Sequence, residues 1–302
     1  VTLSEKLLEH KRNNYIVSLY WKGDVIGVAF SDISTGEFAL SEVLEQHLDS
    51  LLAAIQPSEI LVQSKLKNKL DDDFMHYNLT YIEDWVYEGD YGYNQLTDHF
   101  KTHSLKGFGV EELKVAQIAA GSLLHYMQET QKAALRHLRR VYAYESNEYM
   151  SLDPATKRNL ELTTSIQEGG TDGTLISIMD ETITAMGGRL LRRWIMRPLK
   201  KLKPIQQRLD AVEFLNDGHD IRNTLREELD QVGDLERLIS RICVGRTNAR
   251  DISQIQLSLA QIPRIKSQIA SSGDPLLENI SGRLKLMVEV QDRIRTAIND
   301  DP

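Results

Sequence analysis

The sequence predicts an α/β domain followed by an all-helical domain, and three observations carry this prediction. Short runs of β-branched and aromatic residues, separated by turn residues, mark strands in the first third of the chain. After residue 154, apolar residues recur every three or four positions, as they do in amphipathic helices. The length of 302 residues suits two domains with separate cores.

Three consecutive strands open the first domain. Residues 14–21 and 25–33 are rich in β-branched and aromatic side chains, and Lys22-Gly23-Asp24 between them predicts a hairpin turn. A second turn at Ser34-Thr35-Gly36 leads into a third strand over residues 37–43. These strands begin the sheet of the first domain.

Helices and strands alternate after this point, which indicates a mixed sheet with helices packed on it. The predicted elements are a helix over 47–55, a strand over 59–63, a polar helical stretch over 65–70 and a strand over 79–85. Residues 86–108 show no sustained period and are predicted to be a loop. A long helix is predicted to begin at Glu111 and to run towards Val141 as a bridge between domains. The predicted domains are therefore residues 1–127 and 128–302.

The second domain is predicted to be a helical bundle, because short loops between long helices favour antiparallel neighbours. Asp153 is predicted to cap the first of these helices, with Pro154 at its first position. Residues 168–174 are predicted to form a glycine-rich loop. The predicted helices span residues 155–166, 184–199, 205–215, 222–242 and 250–270.

The helix over 184–199 contains two glycines and four arginines and ends at Pro198. Each glycine costs roughly 1 kcal/mol relative to alanine inside a helix. Gly187 and Gly188 are therefore interpreted as permitting close backbone approach of another helix. The arginines are interpreted as a solvated face that pairs with acidic neighbours such as Asp180 and Glu181. The alternative is that they dock on another domain of a longer protein, for which these two domains offer no partner.

Charge and composition narrow the class of function. The net charge is −8, and residues 1–127 hold 10 basic and 19 acidic side chains, while the remainder is close to neutral. Because phosphate binding depends on Lys and Arg, strong direct DNA binding is not expected. No apolar run approaches the roughly 18 residues that span a bilayer, and no signal peptide opens the chain. The single Cys243 is interpreted as a buried small hydrophobe and suits a cytoplasmic location.

Five stretches give the chain a family resemblance. They are VAFSDISTGEF, SLDPATKRNLELT, TLISIMDETITAMGGRLLRRWIMRPL, PIQQRLDAVEFL and GDLERLISRI, in this order. Together they resemble the MutS family of DNA mismatch repair proteins. The resemblance implies that residues 1–127 are the connector domain, with a ribonuclease H-like fold, and that residues 128–302 are the first part of the helical core or lever domain. The start at Val1, without Met, adds to the expectation that the chain is a fragment of a longer protein.

The resemblance also implies a place in a mismatch-recognition ATPase. In the family, the mismatch-binding domain precedes these two domains and the clamp and ATPase domains follow them, so this piece would link both ends. ATP and Mg²⁺ as cofactors, mismatched DNA and MutL as partners, and a homodimer are implied for the full-length protein. The piece itself is expected to be a monomer without enzymatic activity that binds DNA weakly or not at all.

Two motifs of that machinery are absent from the sequence. There is no G-x-x-x-x-G-K-[ST], and the stretch from Gly169 to Thr174, although glycine-rich, lacks the lysine that reaches the phosphates. There is also no Phe-x-Glu, the pair by which the family wedges and reads a mismatch. We therefore expect no catalytic, cofactor-binding or metal-binding residues in this chain.

The resemblance further implies that the connector is the domain on which MutL docks. Trp85, Tyr87, Tyr91 and Tyr93 lie close together in an acidic stretch, and aromatic side chains are enriched in binding hot spots. These four residues are the candidate partner surface. The alternative is a loop folded onto its own sheet.

Other classes of function remain open at this stage. Asp32, with Glu37 or Asp71-Asp72-Asp73, would form a two-metal nuclease site if these carboxylates converged. His99 and His103 have the spacing to face one metal ion on a helix, but no third ligand is in view. The remaining alternative is a free-standing helical scaffold unrelated to repair.

Overall fold

The computed structural model describes residues 9–70, 74, 76–131, 135–167 and 169–298, and its first domain is built on a six-stranded sheet. The strands are β1 (Ile16–Lys22), β2 (Val25–Asp32), β3 (Glu37–Leu44), β4 (Glu59–Gln63), β5 (Leu79–Ile82) and β6 (Tyr142–Ala143). β1, β2 and β3 pair antiparallel, while β4, β5 and β6 pair in parallel with β1, β4 and β3. The order across the sheet is β5-β4-β1-β2-β3-β6. The predicted mixed sheet of ribonuclease H-like type is confirmed.

The hairpin of β1 and β2 forms where the sequence predicts its turn. Gly23 has a φ of 62°, a left-handed conformation that glycine adopts without strain. Successive side chains of a strand point to opposite faces, and here both faces are buried. Ile16 and Ala29 belong to one core, and Val17 and Phe30 belong to the other. The sheet is therefore covered on both sides.

Helices provide that cover. They are α1 (Glu45–Ile55), α2 (Lys67–Leu70), α3 (Gly89–Phe100) and α4 (Lys114–Gln131). α1 buries Leu48, Leu51 and Leu52 in the core on one face. α4 buries Ala119 and Leu123 in the core on the other face, and α3 packs on α4.

Residues 86–108 are not the predicted loop, because they contain α3. The residues that α3 buries are Gly92 and Leu96, and two positions are too few to produce a recognisable helical period. Close packing on α4 stabilises this helix instead. A Cβ atom at Gly92 would lie 2.9 Å from the carbonyl oxygen of Gln117, and a Cβ atom at Gly121 would meet the backbone of Gly92. The close approach of helix backbones through glycine therefore occurs here.

α4 ends at Gln131 rather than running on towards Val141 as the predicted bridge. Residues 135–141 have no helical structure. Three of their apolar side chains are buried in the same core as α4, namely Leu135, Leu138 and Val141. β6 then joins the edge of the sheet. Residues 135–143 therefore pack with the first domain, whereas the predicted division falls at residue 127.

The second domain is helical, and this prediction is confirmed. Its helices are α5 (Pro154–Asn159), α6 (Leu175–Met179), α7 (Ala185–Met196), α8 (Leu202–Asp217), α9 (His219–Asp230), α10 (Leu235–Cys243), α11 (Ala249–Ile269), α12 (Pro275–Arg283) and α13 (Val288–Ala297). α11 is the central helix and contacts α9, α10, α12 and α13. None of the described helices combines the length and the hydropathy that crossing a membrane requires.

Two predicted elements are shorter in the structure. The helix predicted over residues 155–166 ends at Asn159, and Glu161 shortly after it has a left-handed φ of 44° that a helix does not accommodate. The strand predicted over residues 79–85 ends at Ile82, and a 3₁₀ turn follows it. In both cases the backbone turns before the apolar pattern ends.

The helix predicted over residues 222–242 is interrupted between α9 and α10. At the break, the backbone N–H of Gly233 donates to Ser258 Oγ on α11 at 2.9 Å. Asp234 then caps α10 by accepting from the backbone N–H of Arg237. The apolar period continues across the break, so periodicity alone does not reveal it.

The second domain leaves large apolar side chains on its surface. Its core cluster is small, with Ala211, Ile269 and Leu277 as its buried residues. The apolar side chains that are more than half exposed include Ile178, Leu202, Leu209, Val212 and Leu257. Three of these lie on one face of α8, since their spacing of seven and three residues places them on the same side of a helix. Exposed apolar faces of this kind are typical of protein contact sites.

Candidate functional site

Helix α7 connects parts of the chain that are distant in sequence, beginning with Arg189. This side chain is only 1% exposed, and its guanidinium is shared between two carboxylates. Its two Nη groups each donate to Asp234 at 2.7 Å, and Nη2 also donates to Glu236 at 2.6 Å. A further bond of 2.9 Å reaches the carbonyl oxygen of His10, which precedes the sheet. Arg189 therefore ties α7 to α10 and to the N-terminal segment.

Arg193 connects α7 to the sheet through Glu37, the first residue of β3. Its Nη1 lies 3.1 and 3.2 Å from the two carboxylate oxygens. The hydroxyl groups of Tyr15 and Tyr142 donate to the same carboxylate at 2.7 and 2.6 Å. Burial, and then the charge of Glu37, raise the pKa of Tyr142, so the phenol keeps the proton that it donates. Glu37 is thus the acceptor on which both domains converge.

Arg197 contacts the first domain through aromatic rings. Its guanidinium carbon lies 4.9 Å from the ring centre of Tyr144 and 5.7 Å from that of Phe30, within the range of cation–π attraction. Lys157 on α5 lies nearby, and burial followed by the charge of Arg197 lowers its pKa to about 8. The junction between the domains therefore concentrates positive charge.

The prediction of a solvated arginine face on α7 is wrong. Asp180, the acidic neighbour expected to pair with the arginines, instead forms an ion pair with Lys11 at 3.0 Å. The alternative also named the wrong partner, because Arg193 contacts Glu37 of the first domain of this same chain rather than a domain outside it. Arg193 and Glu37 are 156 positions apart, so no local pattern indicated their contact.

Gly188 is approached by a side chain rather than by the backbone of another helix, which corrects the prediction. A Cβ atom at Gly188 would lie 2.6 Å from Cγ and 2.7 Å from Cδ of Lys11. Lys11 crosses α7 at this point, and its Nζ donates to Asp180 at 3.0 Å and to a backbone carbonyl at 2.9 Å. A Cβ atom at Gly187 would lie 3.0 Å from the hydroxyl of Thr184, which caps α7. The glycines therefore make room for the Lys11 stem and for the helix cap.

Asp153 and Pro198 both lie at helix ends. The carboxylate of Asp153 accepts from the backbone N–H of Thr156 at 2.9 Å, which caps α5. α7 ends at Met196, so Pro198 lies just beyond the helix, and its carbonyl accepts from the backbone N–H of Met150 at 2.7 Å. Both residues shape the backbone near the junction.

The candidate partner surface contains an exposed aromatic cluster, formed by Trp85, Tyr91 and His125. Trp85 is 47% exposed, and its ring centre lies 5.1 Å from that of Tyr91 and 5.5 Å from that of His125. The hydroxyl of Tyr91 lies 2.7 Å from Nδ1 of His125. Sequence reasoning missed His125, whose signal is its place on α4 beside the fully buried apolar face.

Tyr87 and Tyr93 do not belong to this exposed cluster, which corrects the predicted surface. Tyr87 is 2% exposed, and its hydroxyl lies 3.2 Å from that of Ser18. Burial raises the pKa of Tyr87 to about 12. Tyr93 packs partly against the core, with Nζ of Lys114 at 5.4 Å from its ring centre. Both side chains hold α3 and its preceding turn on the domain.

Exposed acidic residues adjoin the aromatic cluster. The indole N–H of Trp85 donates to Glu83. Burial, and then the charge of Glu129, raise the pKa of Tyr91. The exposed acidic residues of this region are Glu83, Asp84, Glu88, Asp90 and Glu129. A partner that binds here would need basic or hydrogen-bond-donating groups around an apolar contact.

Asp32 is engaged in the fold rather than in a metal site. One of its carboxylate oxygens accepts from Ser34 N–H at 2.9 Å and Ser34 Oγ at 2.7 Å. The other accepts from Asn13 Nδ2 at 2.9 Å and from Asn14 N–H at 3.1 Å. Asp71-Asp72-Asp73 lies outside the described residues. Within the described part of the chain, no three His, Cys, Asp or Glu side chains are grouped to hold a metal ion.

The remaining single-residue candidates also have structural surroundings. His99 Nε2 lies 2.8 Å from the carbonyl oxygen of Leu138. His103 is exposed beyond the end of α3, so the two histidines do not share a helix face. Cys243 is half-buried at the end of α10 rather than fully buried as predicted.

Comparison of the sequence with known proteins identifies the family to which the chain is similar. The model of MutS domain II matches residues 14–139, and the model of MutS domain III matches residues 155–302. The DNA mismatch repair protein MutS of Salinibacter ruber is 42% identical over 308 residues, that of Parabacteroides distasonis 37% over 303 residues, and that of Chlorobium chlorochromatii 38% over 315 residues.

Each of these alignments covers the whole of this chain but only 34%, 35% and 36% of the relative, respectively. The chain thus spans about a third of the length of the curated relatives that it matches. The two matched domains follow one another in the order of the mixed sheet and the helical domain seen here. The chain belongs to the MutS family of DNA mismatch repair proteins and comprises its connector and lever domains, II and III.

Proposed function

We propose that this chain is the linking part of a mismatch-recognition ATPase and that it transmits movement between the mismatch-binding and ATPase ends of the full-length protein. The observation that supports this is the domain junction. Arg193 and Arg197 hold α7 to the sheet, while Arg189 holds α7 to α10. Movement of the helical domain would therefore pass into the sheet instead of being absorbed by a flexible linker.

Arg193→Met in the full-length protein tests this role. The variant removes the charge-assisted contact with Glu37 but keeps an aliphatic side chain of similar length. We expect ATP-induced release of mismatched DNA to slow by about 2- to 30-fold, because residues that carry coupling change it by such factors. Stopped-flow fluorescence of labelled DNA measures the release. Mismatch affinity and basal ATP hydrolysis should change little, since Arg193 lies outside the parts assigned to those steps.

The matched control is Arg264→Met. Arg264 forms an ion pair with Glu228 at 3.5 Å, and its side chain is 70% exposed, so its loss should leave DNA release unchanged. If Arg193→Met releases DNA as fast as the parent protein does, the proposed transmission through this contact is wrong.

The finer part of the proposal is that MutL docks on the exposed cluster of Trp85, Tyr91 and His125. Trp and Tyr are enriched in binding hot spots, and truncation of a hot-spot residue costs 2 kcal/mol or more. We therefore expect Trp85→Ala, in the full-length protein with ATP and mismatched DNA, to weaken MutL binding by about 30-fold or more. Surface plasmon resonance measures the affinity. Ile178→Ala is the control, because Ile178 is 76% exposed on the other domain.

Unchanged MutL affinity in Trp85→Ala and in Tyr91→Ala would exclude this surface. The transmission proposal would survive that result, because its own test measures DNA release and does not involve MutL.

The cofactors and assembly belong to the same proposal. The full-length protein would be a cytoplasmic homodimer, and ATP with Mg²⁺ and the mismatch would bind parts of it that lie outside this chain. The chain alone would be a monomer without enzymatic activity. Calorimetry with ATP should show no binding to the chain. Light scattering at rising concentration tests the monomer, and the exposed face of α8 is where self-association would occur.

A further inference from the structure

A small space lies at the domain junction, between α7, the end of α1 and the segment before β1. Its volume is about 20 Å³, which is enough for one water molecule or a halide ion. Five arginines contribute to its lining, and we call it the arginine cavity. They are Arg12, Arg189, Arg192, Arg193 and Arg197.

Acidic partners compensate three of these arginines. Arg189 and Arg193 have the carboxylate contacts described above, and Arg12 at the rim lies 3.5 Å from Glu9. Arg192 and Arg197 form no ion pair within the described residues. Glu9 and Asp180 act on Arg192 through their charge from beyond ion-pair distance, and no described carboxylate lies within ion-pair distance of Arg197.

Of Arg192 and Arg197, Arg197 has the more deeply buried side chain, with an exposed fraction of 7%. Its Nε and Nη2 are buried and have no hydrogen-bond partner among the described residues. Phe30 and Tyr144 attract the cation through their ring faces, but a ring face does not replace an oxygen or halide acceptor for these N–H groups. The Nε atoms of Arg189, Arg192 and Arg193 are likewise buried without a partner. Four of the arginines that line the cavity thus have buried N–H groups without a hydrogen-bond partner among the described residues.

Water would satisfy only part of this arrangement. It accepts two hydrogen bonds but brings no charge, and buried cations are normally paired. An anion supplies both the acceptor and the opposite charge. We propose that the arginine cavity binds one small inorganic anion, with chloride as the ion that fits its volume. The bound anion would accept from Arg197 and Arg192 and would fasten α7 to the first domain. This inference does not depend on the proposed function.

The thermal stability of the intact 302-residue chain tests the site. We expect chloride to raise Tm saturably, by about 2–4 °C relative to sodium gluconate at the same ionic strength, because an anion that binds only the folded state stabilises it. Matched ionic strength removes general screening from the comparison. Arg197→Gln should lose the chloride-specific rise, while Arg264→Gln, altered on the exposed surface, should retain it.

Bromide diffraction on the unaltered chain gives the second measurement, which stands even if Arg197→Gln fails to fold. In crystals grown in sodium bromide, an anomalous difference peak should lie within hydrogen-bond distance of Arg197 Nε or Nη2. Ordered water without anomalous signal in the cavity would overturn the proposal. A bromide peak without a chloride-specific Tm rise would mean an adventitious ion only and would overturn it as well.

Discussion

At the scale of single residues, Gly188 shows how one absent side chain permits a contact between distant segments. The stem of Lys11 occupies the space that a Cβ atom would take, and its ammonium group reaches Asp180 at 3.0 Å. A side chain at Gly188 would displace Lys11, which opposes the gain in helix propensity that any residue other than glycine brings. The two effects have opposite sign, so their balance is measurable.

We expect Gly188→Ala to lower the free energy of unfolding by about 1 kcal/mol, because overpacking costs about 1–3 kcal/mol and the helix gains roughly 1 kcal/mol. Gly188→Leu should cost more. Urea denaturation of the chain measures both. In a Lys11→Gly background, Cβ, Cγ and Cδ are all gone, so Gly188→Ala should become neutral or stabilising. If Gly188→Ala is more stable than the parent chain while Lys11 is still present, Lys11 moves aside freely and the explanation fails.

His137 is a second residue whose surroundings require one protonation state. Its Nε2 lies 2.8 Å from the carbonyl oxygen of Ile33, and its Nδ1 is buried without a partner among the described residues. Burial lowers the pKa of His137. The pKa of His137 is therefore lower in the folded state than in the unfolded state, where it is near 6.5. The contribution of His137 to the free energy of unfolding is present above pH 6.5 and is lost as the pH falls below that value.

We therefore expect the free energy of unfolding to fall as the pH is lowered through the unfolded pKa near 6.5, and His137→Gln to reduce this slope. Glutamine keeps a donor for Ile33 but does not titrate. Urea denaturation at each pH measures the slope, and His103→Gln, altered at an exposed position, is the control. An unchanged slope in His137→Gln would show that His137 does not titrate between the folded and unfolded states.

At the scale of elements, the crossing of α3 and α4 depends on two glycines that face each other. A Cβ atom at Gly121 would meet the Cα, carbonyl carbon and oxygen of Gly92, and backbone atoms have no alternative rotamer. Gly282 on α12 offers the opposite case, because no atom lies within 4 Å of a Cβ built there. The same substitution is therefore expected to have opposite signs at the two positions.

Gly121→Ala should lower the free energy of unfolding by about 3 kcal/mol, the upper end of overpacking costs. Gly282→Ala should raise it by about 0.5–1 kcal/mol through helix propensity. Circular dichroism during urea denaturation measures both variants. A neutral Gly121→Ala would mean that α3 and α4 separate without loss, contrary to the packing described here.

At the scale of the whole molecule, two domains with unequal cores share one charged junction. The sheet domain has an extensive core on each face, whereas the core cluster of the helical domain contains three buried apolar residues within the described part of the chain. Contacts such as that of Arg193 with Glu37 would therefore stabilise the helical domain by attaching it to the better-packed one. The tryptophans report on the two domains separately, with Trp21 and Trp85 in the first and Trp194 on α7.

We expect Arg193→Met to lower the unfolding midpoint reported by Trp194 more than the midpoint reported by the tryptophans of the first domain. A charged hydrogen bond at a partly exposed site contributes about 1–2 kcal/mol. Its loss should destabilise the helical domain more, because that domain has the smaller core. Fluorescence of variants that keep either Trp194 or Trp21 measures the two transitions. Equal shifts at both probes would show that the junction is not what couples the domains.

Local chemistry accounts for the parts of the fold that the sequence predicted well. The β1–β2 hairpin follows from β-branched strands around Gly23, and the cap of α5 follows from Asp153 before Pro154. α3 was missed because it buries only Gly92 and Leu96, so its stability comes from contact with α4. The break before α10 was missed because the apolar period runs through it.

The candidate site was predictable only where neighbours in sequence are also neighbours in space. Trp85 and Tyr91 satisfy that condition, whereas Tyr87 points into the core because the turn that contains it rotates successive side chains away from one another. His125 joins the cluster from α4, which sequence distance concealed.

By itself, the sequence determined the two-domain order, the strands of the first hairpin, the helical character of the second domain and the family, because each of these depends on residue type and spacing along the chain. Only the tertiary structure decided which charges meet. Arg193 donates to Glu37, which lies 156 positions away in the sequence, and Arg197 contacts the rings of Phe30 and Tyr144. Such contacts depend on how the two domains pack, and that packing places side chains together without leaving a periodic pattern in the sequence.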